Sequence, residues 1–517
     1  MKVHLMFRDH DFDPTGPIPE EASELIQDLG LTPLLDAMSG GDRLLSEVTR
    51  AALLTGLADP EAIQYRQQVL NDCLDHPELA RELYEIAVEA LAAQRRVFTF
   101  GRQAPSGILR YALRVMRILL GPLRRVRELA DQAPDTLRSE GILNMFRTVR
   151  EEIDDGYFQD VEECLAGLEF RDGITVGAGL GQGNAGDNYY LSQPPQVSTG
   201  FLERIGLGRR DPAAFDVAPR DEAGARALAE LADRGINSAA SALAQAADHV
   251  VAYFGALAAE VGFYIGCLNL ADNLASRGLP FCIPKPAANL ALSAQGLYGP
   301  SLALVTQQSV VENSLAADGR ALIVITGANS GGKSTFLRSL GTAQLMMQSG
   351  MFVTATAFEA AVGSRVFTHF ARDEDPTMAN GRLAEELARM SRLAGAIDGR
   401  ALVLLNESFE STNEAEGSEI ARQVIRALLE AGCRVVLVTH LYDLADSLYQ
   451  RGNPGTLFLR ADPATHGGPT YVLTEGPPRP TAFGPELFRK MGGWELPISV
   501  AGASTPGNAN PPDRGPI

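Results

Sequence analysis

The stretch Ile323–Phe336, I-V-I-T-G-A-N-S-G-G-K-S-T-F, limits what this chain can fold into more than any other. The apolar, β-branched run from Ala321 to Ile325 predicts a short buried strand. Gly327-Ala328-Asn329-Ser330-Gly331-Gly332-Lys333-Ser334 follows and fits G-x-x-x-x-G-K-[ST] without a gap. After Thr335, the residues Phe336, Leu337, Leu340 and Leu345 recur at helical spacing. Strand, glycine loop and helix come in the order a phosphate cradle requires. Glycines let backbone N–H groups turn inward, and the helix N-terminus adds partial positive charge. Lys333 is the candidate for the β- and γ-phosphates, and Ser334 for Mg²⁺.

At 517 residues the chain exceeds one hydrophobic core, so several domains are expected. A net charge of −19 argues against a wholesale electrostatic nucleic-acid binder and leaves room for a local basic surface. The five cysteines, Cys73, Cys164, Cys267, Cys282 and Cys433, show no paired spacing, which suggests neither a disulfide framework nor a zinc site. The N-terminal apolar run is too short for a signal peptide, and Ala256–Ala271 carries Glu260 and reads as core, so a cytoplasmic protein without a membrane span is expected.

A strand is expected at Val3–Phe7, followed by an acid and histidine cluster, Arg8–Asp13, that reads as a solvated turn before it reads as a metal site. Residues 21 to 170 show helical spacing, with a helix start at Pro60. Between Arg95 and Arg127 there are nine arginines and no acid. Arg110, Arg114 and Arg117 share a helical face, and Arg124 and Arg125 follow Gly121-Pro122, which is expected to break or kink the helix. Such a stripe either meets a phosphate backbone or pairs with acids elsewhere in the chain. The Gly-rich stretch 172–196 contains Gly181-x-Gly183-x-x-Gly186, but Tyr189, Tyr190 and Pro194-Pro195 follow where a dinucleotide site needs a helix, so a hairpin is expected. Ala223–Asn273 predicts one long helix or a pair, Pro280, Pro284 and Pro286 mark a boundary, and Leu290–Val305 reads as short strands. The Gly, Pro and Asn rich end reads as a disordered tail.

Two further strands carry polar residues at their ends. Ala401-Leu-Val-Leu-Leu leads to Asn406-Glu407, where the first side chain steadies Mg²⁺ and the second orients a water. Arg434-Val-Val-Leu-Val leads to Thr439-His440, placing a histidine to sense a γ-phosphate.

These residues together resemble the MutS family of DNA mismatch repair ATPases. The phosphate loop, Gly350–Ala355 as the next strand, Phe367-Thr368, Asn406-Glu407 with Ser411–Gly417, Thr439-His440 and Phe483-Gly484 keep that family's order, and Asp59–Val69 resembles a turn-helix element of its helical core. The resemblance implies a multidomain chain: an α-helical core and lever region (1–288), an α/β ABC-type P-loop ATPase domain (289–497) and a tail (498–517). It implies ATP and Mg²⁺ as ligands, and a homodimer in which Asn380 and Gly381 of one chain contact the ATP of the other. It also implies levers that move around DNA. Departures accompany it. The N-terminal part is too short for mismatch-reading and connector domains. Asn406 stands where an acid is usual, which predicts slow hydrolysis. Leu383 stands near where a phosphate-contacting hydroxyl is usual. Two functions are therefore expected in competition: an ATP-driven DNA-binding clamp that does not read mismatches, or a nucleotide switch that binds another protein.

Overall fold

The computed structural model describes residues 1–98, 104–170, 173–192, 217–306, 308–329, 331–372, 381–397, 399–461 and 470–479. The expected tail, Phe483-Gly484, Ser330 and Asn380 lie outside them.

Helices come first: α1 Ala22–Leu29, α2 Thr32–Ser39, α3 Arg43–Leu54, α4 Pro60–Asp75, α5 Pro77–Arg95, α6 Pro105–Asp131, α7 Glu140–Glu152 and α8 Asp155–Gly167. The start of α4 is local chemistry: the Asp59 carboxylate accepts from Glu61 N and Ala62 N, and Pro60 occupies the first turn. Of the expected break or kink at Gly121-Pro122, the break does not occur: α6 continues through Pro122. The proline removes the bond to Ile118 O, but Ile118 and Gly121 face solvent, where water can take the freed carbonyl. Leu119, Leu120, Leu123 and Val126 are buried on the other face, and their packing favours a continuous helix.

The Gly-rich stretch is an antiparallel hairpin, β1 Val176–Leu180 with β2 Gly186–Leu191. After it α9 runs unbroken from Glu222 to Ala275, 54 residues and about 80 Å at the α-helical rise. By length and composition α9 could cross a membrane, but 78% of its most apolar window is buried inside the fold, where α3, α5 and α6 pack on it.

Strands follow: β3 Lys285–Ala287, β4 Leu292–Leu297, then the short helix α10 Pro300–Val305 where a strand was expected. Pro300 at the first helical position sets that helix. Next come β5 Asn313–Ala316, β6 Leu322–Gly327, α11 Lys333–Gln348, β7 Ala357–Ala361 and β8 Val366–Phe370. The strand expected over Gly350–Ala355 is reduced to a single bridge between Val353 and Cys282. The chain continues with α12 Arg382–Ala396, β9 Leu402–Asn406, α13 Glu414–Glu430, β10 Arg434–Val438, α14 Tyr442–Gln450, β11 Thr456–Ala461 and β12 Leu473–Glu475.

The main sheet has the order β12-β11-β6-β10-β9-β8, parallel except for β12. A second sheet has the order β3-β7-β4-β5. Strands of the main sheet are apolar on both faces, as a covered parallel sheet demands. Ile323, Ile325, Leu404 and Val436 enter a core continuous with the N-terminal helices, whereas Val324, Val403, Leu405 and Leu437 enter a second core with residues of α12, α13 and α14. The N-terminal helices and β6 therefore share one packed interior.

The expected strand at Val3–Phe7 is absent, because side chains take its backbone groups. Glu260 of α9, fully buried, accepts from Leu5 N, Met6 N (3.0 Å) and Phe12 N (2.7 Å). Tyr264 Oη donates to Leu5 O (2.7 Å), and Arg66 Nε donates to Met6 O (2.9 Å). Arg66 also reaches Ser349 O (3.3 Å) just after α11, so one buried guanidinium ties the N-terminus to the phosphate-loop helix. The acid and histidine cluster is a turn: Asp13 accepts from Thr15 N (2.8 Å), and Asp11 accepts from Val3 N and His4 N (3.2 Å each).

Burial pushes the Glu260 carboxyl up to about 7, with its three N–H donors opposing the shift. A raised pKa means the folded state binds the proton more tightly. Stability is then greatest below the unfolded pKa and is lost as pH rises toward 7. The expected loss is about 3 kcal/mol between pH 4.5 and 7. Urea unfolding of the parent and of Glu260→Gln across that range checks it; equal pH slopes in the two proteins would contradict the assignment.

Candidate functional site

The site assembles at the carboxyl ends of β6, β9 and β10, side by side in the sheet. Gly327 ends β6 at φ +114°, where an added Cβ would sit 2.4 Å from Ala461 O, so no other residue fits. Gly332, at φ +85°, caps the N-terminus of α11 in the left-handed region. Lys333 opens the helix and is 5% exposed. Its ammonium donates to Gly327 O (2.8 Å) and Ala328 O (2.9 Å), across the rim of the loop. Burial lowers its pKa, while the Glu407 and Glu410 carboxylates pull it back up.

Ser334 Oγ donates to Asn406 Oδ1 at 2.9 Å, joining the first turn of α11 to the end of β9. Mg²⁺ takes oxygen ligands at 2.0–2.1 Å in octahedral geometry, which puts neighbouring ligands about 2.9 Å apart. The Ser334 and Asn406 oxygens fit that demand.

Beyond Asn406 the chain turns sharply. Glu407 has φ +54° and its N–H donates to Val438 O (2.8 Å) on β10. Its Oε1 meets His440 Nε2 at 3.0 Å. That hydrogen bond is the main reason the Glu407 carboxyl titrates below the ordinary value, ahead of the opposing desolvation. Glu407 is therefore ionised at neutral pH, with an imidazole fixed beside it.

A cavity of about 470 Å³ opens from Gly331–Phe336 and is walled by Leu302, Val310, Val311 and Tyr471. Its apolar side lies beside the phosphate loop, at a size that suits a nucleoside. Asn313, buried at the start of β5, secures this wall: Nδ2 donates to Tyr471 O (3.1 Å), and Oδ1 accepts from Leu473 N (2.8 Å). Sequence reasoning missed Val310, Val311, Asn313 and Tyr471. Their only local signal is an apolar pair before a strand, and their common wall is made by folding.

Other expected residues lie elsewhere. Gly381 is exposed, precedes α12 and does not line the phosphate-loop cavity of its own chain. Leu383 packs against the second core. The arginines lie on α6, in the helical half. Arg117 pairs with Glu169, Arg124 with Glu162 (2.7 Å), Arg125 with Glu89 (2.6 Å) and Arg127 with Asp131 (3.0 Å). Arg110 is exposed, and the exposed Arg114 donates only to Phe98 O (3.3 Å) among the described contacts. For four of these cations the acids predicted "elsewhere in the chain" are now identified.

Comparison with known proteins follows the same division. The MutS2 N-terminal domain family matches residues 58–277, which hold α4 to α9, and the MutS domain V family matches residues 323–458, which hold β6 and the site strands. An endonuclease MutS2 from Latilactobacillus sakei is 35% identical over 202 residues, 38% of this chain and 25% of that protein. A DNA mismatch repair protein MutS from Thermotoga petrophila is 34% identical over 140 residues, 27% of this chain and 18% of that protein. An endonuclease MutS2 from Thermus thermophilus is 28% identical over 215 residues, 41% and 28% of the two chains. The chain thus matches between 18% and 28% of the length of these relatives. Two regions on either side of residue 288 point independently to the same group, and the chain belongs to the MutS family.

Proposed function

We propose that this protein is an ATP-dependent DNA-binding ATPase of the MutS type, working as a homodimer in which ATP binding and hydrolysis move the helical levers around DNA. The observation that carries the reading is the Glu407–His440 contact set against the Lys333 and Ser334–Asn406 end of the phosphate loop. Residues 327–335 would cradle the phosphates, and the wall of Val310, Val311 and Tyr471 would take the nucleoside. Ser334 and Asn406 would hold Mg²⁺, which supplies charge neutralisation at the phosphates. Glu407 accepts a proton from the water that attacks the γ-phosphorus, the bond to ADP breaks, and phosphate leaves. His440 holds Glu407 ionised and in place. Asn406 brings an acceptor oxygen without charge, so turnover is slow. In the dimer, Asn380 and Gly381 of the partner chain would complete the nucleotide site. Residues 1–288 form the lever part and 289–497 the ATPase part, in a cytoplasmic protein. The proposal gives Arg110, Arg114, Arg117, Arg124 and Arg125 to DNA. The pairs that Arg117, Arg124 and Arg125 make are partly exposed and weak, and phosphate oxygens can replace the carboxylates.

A second reading has its own observation. The net charge is −19, and Arg117, Arg124 and Arg125 are already paired internally, which suits a nucleotide switch that binds a protein and not DNA. A mobility-shift assay on duplex, branched and single-stranded DNA, with and without ATP and Mg²⁺, separates the two. The clamp is expected to shift DNA in a nucleotide-dependent way, with affinity falling steeply with salt. Arg110→Glu with Arg114→Glu is expected to weaken that shift about thirtyfold, near 1 kcal/mol for each of two phosphate contacts. No shift on any DNA at low salt would leave the switch.

A further inference from the structure

Glu410 sits three residues past Glu407, in the loop after β9, and no sequence pattern marks it. The loop turns through two non-glycine residues in left-handed conformation, Glu407 at φ +54° and Phe409 at φ +66°. Such residues persist only where surrounding contacts hold them. Phe409 N donates to Glu386 Oε2 (3.0 Å), which fixes the loop to α12. Glu410 fixes it to the end of β10. Its Oε1 accepts from Thr439 Oγ1 (3.0 Å) and from His440 N (2.6 Å), and Thr439 Oγ1 accepts from Leu441 N (3.0 Å). The corner that carries His440 is thereby held by a side chain from the corner that carries Glu407. Ligand atoms of Glu407, Glu410 and His440 all lie within 4.8 Å of one another.

We infer that Glu410 is the positioning residue of the Glu407–His440 pair: its carboxylate holds the His440 main chain where the ring nitrogen meets Glu407. The inference rests on the hydrolytic reading of the site and adds the group that builds it. A half-buried main-chain N–H without its acceptor is costly, so the corner would rearrange once Glu410 is truncated. A shift of about 1 Å in a catalytic group is enough to lower turnover strongly.

The test compares Glu410→Ala, Glu410→Asp and Glu410→Gln with the parent in two readouts: steady-state ATP hydrolysis, and the ring resonances of His440 in histidine-labelled protein, assigned with His440→Gln. Glu410→Gln keeps an oxygen at the same reach. It is expected to hold kcat within about threefold and to leave the His440 resonances in place. Glu410→Ala, and Glu410→Asp with its oxygen withdrawn by one methylene, are expected to lower kcat about tenfold or more with KM changed less than about twofold, and to move the His440 resonances. If Glu410→Ala does not fold, Glu410→Asp carries the comparison. Parental His440 resonances in the truncated variants would overturn the inference, as would a Gln variant as disturbed as the Ala one. A parent that hydrolyses no ATP would sink the reading of function instead, and the His440 resonances would still decide whether Glu410 holds the ring.

Discussion

Replacing Lys333 by alanine is expected to lower ATP affinity by about 100-fold or more while moving the melting temperature by only a few degrees. Hydrogen bonds to a charged group contribute roughly 1.5–3 kcal/mol each, and an ammonium reaching two phosphates makes at least two. The small effect on folding has a separate cause. Lys333 is 5% exposed, and burial pushes its pKa down, so the folded protein gains little from holding that charge. Its two bonds to Gly327 O and Ala328 O are partly compensated by water once the side chain is gone. Isothermal titration with ATP and Mg²⁺ measures the affinity. An alanine variant that binds ATP like the parent would show that the loop is not a phosphate cradle.

Glu407→Gln is expected to bind ATP within a few-fold of the parent and to lose about 10²- to 10³-fold in kcat, the range of a positioned general base. The amide is nearly isosteric but cannot take a proton. The pH profile follows from the same bond. His440 holds the Glu407 carboxyl below its ordinary 4.5, so its ionised form is kept as pH falls and the acid limb of kcat lies below pH 4.5. Single-turnover phosphate release across pH, with nucleotide retention measured in parallel, checks both statements. Parental turnover in the Gln variant would remove Glu407 from the chemistry and leave the site a binding site only.

Legibility in the sequence tracks how far apart the interacting residues are. The form of the loop at 327–334 was readable because its parts are adjacent: glycines with left-handed φ, a helix N-terminus, and a lysine that bonds carbonyls five and six residues earlier. The strands ending at Asn406 and Val438 were readable as apolar runs between turns, and the fold sets their polar ends on neighbouring strands in register, Asn406 opposite Val438. The break at Pro122 and the N-terminal strand were misread for one reason. Each expectation followed a local propensity, and each was overridden by distant packing: the buried face of α6 in one case, Glu260, Arg66 and Tyr264 in the other.

By itself, then, the sequence determined the strand, glycine loop and helix around Lys333, the two strands that end at Asn406 and Val438, and the long helical region that precedes them. These are matters of backbone conformation and periodicity, set within a few residues. Only the tertiary structure decided which charges are spoken for. Arg117, Arg124 and Arg125 find acids 36 to 52 positions away, His440 finds Glu407 and Glu410 across the sheet, and Glu260 finds an N-terminus about 250 residues distant. Coulomb and hydrogen-bond energies depend on separation in space and on burial, and neither quantity exists until the chain has folded.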